Sequence, residues 1–286
     1  MVLELLASIY KLRQKPILMF FEAIILTLLS VFFSLIIFSG ESVSFAILAF
    51  ITIGALPLFN RLYAFDSYLT GYDKSFFKRH KKIILLLFYF FLGIIFAFVV
   101  IYFFSPVTVK DSLFSVQFKE LDKISSVRNN ITGDIVSGSE FSQFGLAFKT
   151  ILFNNLLVIL SATILSFFYG AGGLFLIAWN ASILAAAIIK DVIFSFSTIN
   201  SSLFFAPFVG VFRSIVNFIG FIPHGFFEVA AYFIVSLAGA IFARDLFRGV
   251  FTTDFKNLVI KDFLYLFLIA IIFILIGALI EASYFF

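Results

Sequence analysis

Residues 83–104 read IILLLFYFFLGIIFAFVVIYFF, 22 positions without a charge or a proline. At a helical rise of about 1.5 Å per residue the run is roughly 33 Å long, enough to cross the hydrocarbon of a bilayer. Six further apolar runs flank it, at 17–38, 45–59, 146–168, 171–189, 226–243 and 263–281. The run 45–59 is short, but Glu41, Ser42 and Ser44 before it and Asn60 and Arg61 after it bracket it closely. A short span forming a hairpin with the first fits better than a buried soluble helix.

The rest of the chain agrees. Apolar residues make up 63% of the 286 positions and charged residues only 13%, too few to solvate the surface of a soluble monomer of this size. Forty-seven Phe and only five Pro exclude a disordered chain. Cysteine is absent, which removes disulfides, thiol nucleophiles and thiolate metal sites. The net charge of +4 sits in short clusters beside the apolar runs, a pattern of membrane orientation and not of nucleic-acid binding.

The clusters set an expected topology. Arg61, Lys74, Lys78, Arg79, Lys81 and Lys82 lie within residues 60–82, which places that loop, and the N-terminus two spans earlier, in the cytoplasm. An anionic-lipid contact at the same cluster is compatible with that side. Residues 3–16 carry Leu3, Leu6, Ile9 and Leu12 at helical spacing, ending at Pro16, and read as a short helix on the membrane surface. Lys11, Arg13 and Lys15 precede the first run, whose 22 residues are too long for a signal-peptide core, so it reads as a retained span. Residues 105–140 form the one long polar stretch and are expected outside, as a cap packed on the bundle. Asn130-Ile131-Thr132 within it matches the short glycosylation sequon.

Residues 203–222 decide the second half. As a full span they would put Arg244, Arg248, Lys256 and Lys261 outside, against the charge rule. Gly210, Arg213, Ser214, Asn217 and Gly220 recur at spacings of three and four, giving the segment a polar, small-residue face. The expected fold is therefore all-α: a single polytopic transmembrane helical bundle over 1–286. It has seven spans plus one re-entrant or interfacial helix, with the N-terminus in and the C-terminus out.

Polar residues inside the apolar runs need partners in lipid and are the candidate site: Asn154, Asn155, Asn180, Arg213, His224 and Glu228. The three amides are read either as interhelical glue or as a polar pocket for a substrate. His224 and Glu228 are four apart and share a helix face, a spacing usable for metal ligation, proton relay or a structural pair. Two ligands fall short of a catalytic zinc set, so no metal and no cofactor is expected. Arg213 is expected to contact Glu228, with His224 on the same face. Glu22, about one turn into the first span, is expected to snorkel to the interface. No G-x-S-x-G, H-E-x-x-H, P-loop or paired acids within one span occur, so an enzyme is not expected.

The order Phe153-Asn154-Asn155, the glycine-containing turn Tyr169-Gly170-Ala171-Gly172-Gly173, Trp179-Asn180, Pro223-His224-Gly225 with Glu228, and Ala238-Gly239 resembles the stage II sporulation protein M family of integral membrane proteins. The resemblance covers roughly residues 145–245. It implies a polytopic helical protein without an assigned reaction, whose namesake looks like a scaffold for wall-remodelling hydrolases during engulfment. It also implies a platform or permease-like core in which Asn154, Asn155, Asn180, His224 and Glu228 shape a shared polar centre. The expected function is thus a non-enzymatic scaffold or assembly factor of the cell membrane. Its expected partners are the lipid bilayer and other membrane proteins or further copies of itself. A transporter or channel subunit is the alternative, and an intramembrane enzyme ranks third.

Overall fold

The computed structural model describes residues 9–70, 76–133, 140–169, 173–197, 206–247 and 256–283; within these the side chains of 66–70, 76–80, 124–133, 140–143, 167–169, 196–197, 206–222, 224, 247, 256 and 258 lie outside the description. The described residues form nine helices and no strand: α1 Ile9–Gln14, α2 Ile17–Ile37, α3 Ser42–Thr70, α4 Phe76–Phe104, α5 Val107–Gly133, α6 Glu140–Tyr169, α7 Gly173–Ser197, α8 Ala206–Phe247 and α9 Lys256–Ser283. Among the described residues seven segments are long and apolar enough to span: Ile17–Ile37, Ser42–Phe65, Lys81–Phe104, Phe144–Ser166, Gly173–Ser195, Gly225–Leu246 and Val259–Ser283. These are the seven expected runs. The short 45–59 run grows into 42–65 because the helix continues past Asn60 and Arg61, with Pro57 inside it. Of the expected surface helix 3–16, the described part is α1, and residues 1–8 lie outside the description.

Residues 206–222 are helical but do not form an element of their own. They run on into the next span as one 42-residue helix, α8, with Pro223 inside. Contacts fix the direction of that helix. Asn155 of α6 meets Tyr232 of α8, and Ser166, further along α6, lies against Gly239, further along α8. The two helices therefore run parallel. With α7 returning between them, the chain leaves α7 and enters the Gly225–Leu246 span on the same side, as the charge pattern requires.

Two three-helix groups meet across α7. On the N-terminal side α2 packs on α3 and α4; on the C-terminal side α6, α8 and α9 pack on one another; α7 touches α3, α4, α5, α6 and α8. Its fully buried Ala178, Ala181, Ser182, Ala185 and Ala186 explain this position, because small side chains let neighbouring backbones approach. Phenylalanine fills the wider gaps: Phe59 meets Phe90 with ring centroids 5.2 Å apart, Phe91 meets Phe233 at 5.5 Å, and Phe242 meets Phe263 at 5.0 Å. Such offset and edge contacts add to plain area burial.

The polar stretch 105–140 contains α5, packed on α3, α4 and α7 as a cap. Phe114 is buried against Phe98 and Tyr102 of α4, at 5.7 and 5.2 Å. Next to it Gln117, also fully buried, accepts a 2.5 Å hydrogen bond from Ser44 of α3 and donates one of 3.3 Å to Ser182 of α7. Exposed ion pairs Lys119–Glu41 and Lys190–Asp122 flank this seam and add little, being solvent-facing.

The backbones of α2 and α4 approach closely. A Cβ added at Gly93 would sit 2.4 Å from the Phe20 carbonyl oxygen and 2.7 Å from the Ala23 Cβ, so backbone would have to move. Gly93→Ala is expected to cost about 1–3 kcal/mol by overpacking. Gly145→Ala, with nothing within 4 Å, is expected to be neutral or slightly stabilising. Thermal unfolding in detergent compares the two.

Candidate functional site

The strongest convergence of intramembrane polar groups joins α6, α8 and α9. Asn155 is only 5% exposed. Its amide nitrogen donates to Glu228 Oε1 at 2.5 Å, and its amide oxygen accepts a 2.8 Å hydrogen bond from the Tyr232 hydroxyl. Tyr232 follows Glu228 by one helical turn on α8, so both reach the same side chain of α6. From α9 the Glu281 carboxyl lies near Glu228. One amide thus ties a phenol and a carboxyl of one helix to a second helix, with an acid of a third beside them.

Of the six expected site residues, two meet here, Asn155 and Glu228. Asn154, one position away, turns about 100° round the helix axis and is exposed. Asn180 does not reach across the hairpin either. Its amide nitrogen donates to the Leu176 carbonyl of its own helix at 2.7 Å. His224 lies one turn before Glu228 in the backbone of α8, and its side chain is outside the description. The expected contact of Arg213 with Glu228 does not fit the backbone. Both residues lie on α8, 15 positions and so about 22 Å of helical rise apart, beyond the combined reach of the two side chains.

Glu22 corrects another expectation. It does not snorkel: it is 7% exposed, and its Oε2 has no partner among the described residues. Two residues of the polar junction escaped the sequence reading. Tyr232 was hidden because tyrosine counts as apolar in a span, and Glu281 because it stands at the end of the last run and reads as a boundary residue. Among the described residues no group of three or more His, Asp or Glu is placed to hold a metal ion.

A second polar contact closes the other end of α8. The Arg244 guanidinium donates to the Tyr63 carbonyl of α3 at 2.5 Å and to the carboxylate of the adjacent, 3% exposed Asp245 at 2.6 and 3.0 Å. The Tyr63 end of α3 and the Arg244 end of α8 therefore lie together.

Fold and junction define a polytopic helical membrane protein built round a hydrogen-bonded centre between three spans. A family model described as Stage II sporulation protein M matches residues 83–284, that is α4 through α9 except for the first residues of α4, and the chain belongs to that family. No curated protein and no solved structure gives a significant match.

The adjacent asparagines provide a test. Asn155→Ala removes partners from both Glu228 and Tyr232 and is expected to lower stability by about 1–2 kcal/mol. Asn154→Ala is expected to stay within about 0.5 kcal/mol of the parent. In a double-mutant cycle, Tyr232→Phe is expected to lose most of its effect once Asn155 is alanine, as measured by thermal unfolding in detergent.

Proposed function

We propose that this member of the stage II sporulation protein M family is a non-enzymatic integral membrane scaffold or assembly factor. One observation carries the reading: Asn155, Glu228 and Tyr232 are bonded to one another across α6 and α8, with Glu281 of α9 beside them. A bonded junction holds helices together, whereas a solute path needs polar groups left open to water. Outward, α6 presents Phe153, Leu157, Leu160 and Ile164, and α9 presents Leu264, Leu268, Ile272 and Leu279. These faces suit lipid and the spans of partner proteins or of further copies. The rival reading, a transporter or channel subunit, draws on the same intramembrane carboxyl groups, since such acids often line ion or proton paths.

We propose in addition that the protein sits in the cell membrane with its N-terminus cytoplasmic and its C-terminus opposite. The basic residues of 60–82 and 244–261 support this, as does the contact of Arg244 with Tyr63 that brings those two ends together. Seven spans put the termini on opposite sides.

Because the chain has no cysteine, single cysteines report on both points. Ser75→Cys and Thr253→Cys are expected to react with a membrane-impermeant thiol reagent from one side and Ser126→Cys from the other. Reaction of 126 and 253 from a common side would overturn the topology. For the function, Asn155→Cys and Tyr232→Cys are expected to stay unmodified in intact membranes. Their modification by the impermeant reagent would reveal a water-filled path and replace the scaffold with the transporter.

A further inference from the structure

The geometry points to a pairing of two copies of this chain through the outer face of α6, with their Asn154 amides hydrogen-bonded to each other at mid-membrane. Asn154 is exposed and stands ten residues from Phe144 and twelve from Ser166, the ends of its span. The nearer interface is thus about 15 Å of helical rise away, out of reach of so short a side chain. Asn180 meets a similar situation by donating to a carbonyl of its own helix. Among the described residues Asn154 has no such bond, and a bare amide facing hydrocarbon is costly. Lipid tails offer it nothing, so the fitting partner is a polar group of another chain at the same depth.

The surface around Asn154 is shaped for a helix. Thr150, Asn154, Leu157, Ser161 and Ile164 recur at alternating spacings of four and three, the seam of a two-helix coil. All but the half-buried Thr150 are exposed. This seam lies nearly opposite the one formed by Asn155, Ile159, Ala162 and Ser166, which packs into the bundle. The Phe144–Ser166 span is also the least buried of the seven. Ser161 is small enough to let a second backbone approach, and Leu157 and Ile164 supply apolar contact. Complementarity selects a second copy as the occupant. An amide donates and accepts at once, so asparagine is complementary to itself. Copies of one chain sit in a membrane at one depth and in one orientation, so a twofold axis along the membrane normal sets two α6 helices parallel, each residue facing its equivalent. One Asn at a core position of such a parallel seam favours two strands and a single register. The adjacent asparagines then serve one face each, Asn155 within the chain and Asn154 between chains. The pairing narrows the partners proposed above to a second copy, and holds for a scaffold and for a transporter alike.

Single cysteines in the purified full chain, reconstituted in phosphatidylcholine bilayers, test the face. Under a copper–phenanthroline oxidant Leu157→Cys and Ile164→Cys are expected to form disulfide-linked dimers. Ile53→Cys, an exposed position of α3, is expected to stay monomeric. Energy transfer between copies labelled at Ile53→Cys, followed as lipid is added, reads the affinity. In that background Asn154→Leu is expected to weaken pairing about tenfold, and Asn154→Gln, which keeps an amide, to retain most of it. Asn154 bonds nothing within its own chain, so Asn154→Leu is expected to leave thermal unfolding of the detergent-dispersed single chain unchanged, separating lost pairing from lost folding. Copies that remain monomeric at every dilution would assign the face to lipid alone. Linkage at Ile53→Cys as strong as at Leu157→Cys, or pairing undiminished in Asn154→Leu, would overturn the proposal. None of these outcomes touches the Asn155 junction, so failure of the pairing is distinct from failure of the scaffold reading.

Discussion

Hydrocarbon supplies no hydrogen-bond partner, so every polar side chain within the seven spans has to be satisfied by the protein itself. The chain meets most of this demand in two ways, Glu22, Ser34 and Ser166 keeping a buried oxygen without a partner among the described residues. Short hydroxyls solve it within their own helix: Thr27, Ser30, Thr52 and Thr163 each donate to the carbonyl four residues back, at 2.7 to 2.8 Å. Larger or charged groups cannot, and they dictate which helices meet. Asn155, Tyr232, Glu228 and Glu281 bring together α6, α8 and α9, and Gln117 brings together α3, α5 and α7. The apolar surface that fills the rest is indifferent to partner, because lipid tails are as apolar as leucine or phenylalanine.

This division explains the layout around α7. Its alanine-rich face brings neighbours close, and Ser182 adds a directional contact there, accepting from Gln117. Through Gln117 the cap helix α5 is pinned to the bundle at a buried point, which its exposed ion pairs with Glu41 and Lys190 would not achieve alone. The family-matched part, 83–284, contains α7 and the whole C-terminal group, while α2 and α3 are added to it by close packing on α4. Gly93 marks how close: the Phe20 backbone occupies the space where a side chain would begin.

The junction of α6, α8 and α9 also links stability to chemistry. An amide at the centre can donate to one neighbour and accept from another, so Asn155 holds a carboxyl and a phenol at once without carrying charge into the membrane. Its neighbour Asn154 has the same chemistry and none of the contacts. Position round the helix, not residue type, makes the difference.

Much of the architecture was legible in the sequence, and for a local reason. Whether about 20 residues prefer lipid to water depends on those residues alone, so the seven spans and the polar stretch between α4 and α6 could be read from runs of residues. The pairings could not. Spans apolar on nearly every face carry little periodic signal of which side meets protein, so Asn154 and Asn155, or Asn180 and Ser182, look equivalent along the chain. Arg213 and Glu228 looked like partners because each was the lone charge of its sign in its run, until the continuity of α8 through Pro223 set them about 22 Å apart. Glu281 looked like the edge of a span until packing put it on Glu228. The sequence by itself determined which segments enter the membrane, since that depends on transfer from water to lipid; only the tertiary structure decided which polar groups share a centre, since that depends on rotation and depth of helices whose surfaces lipid does not distinguish.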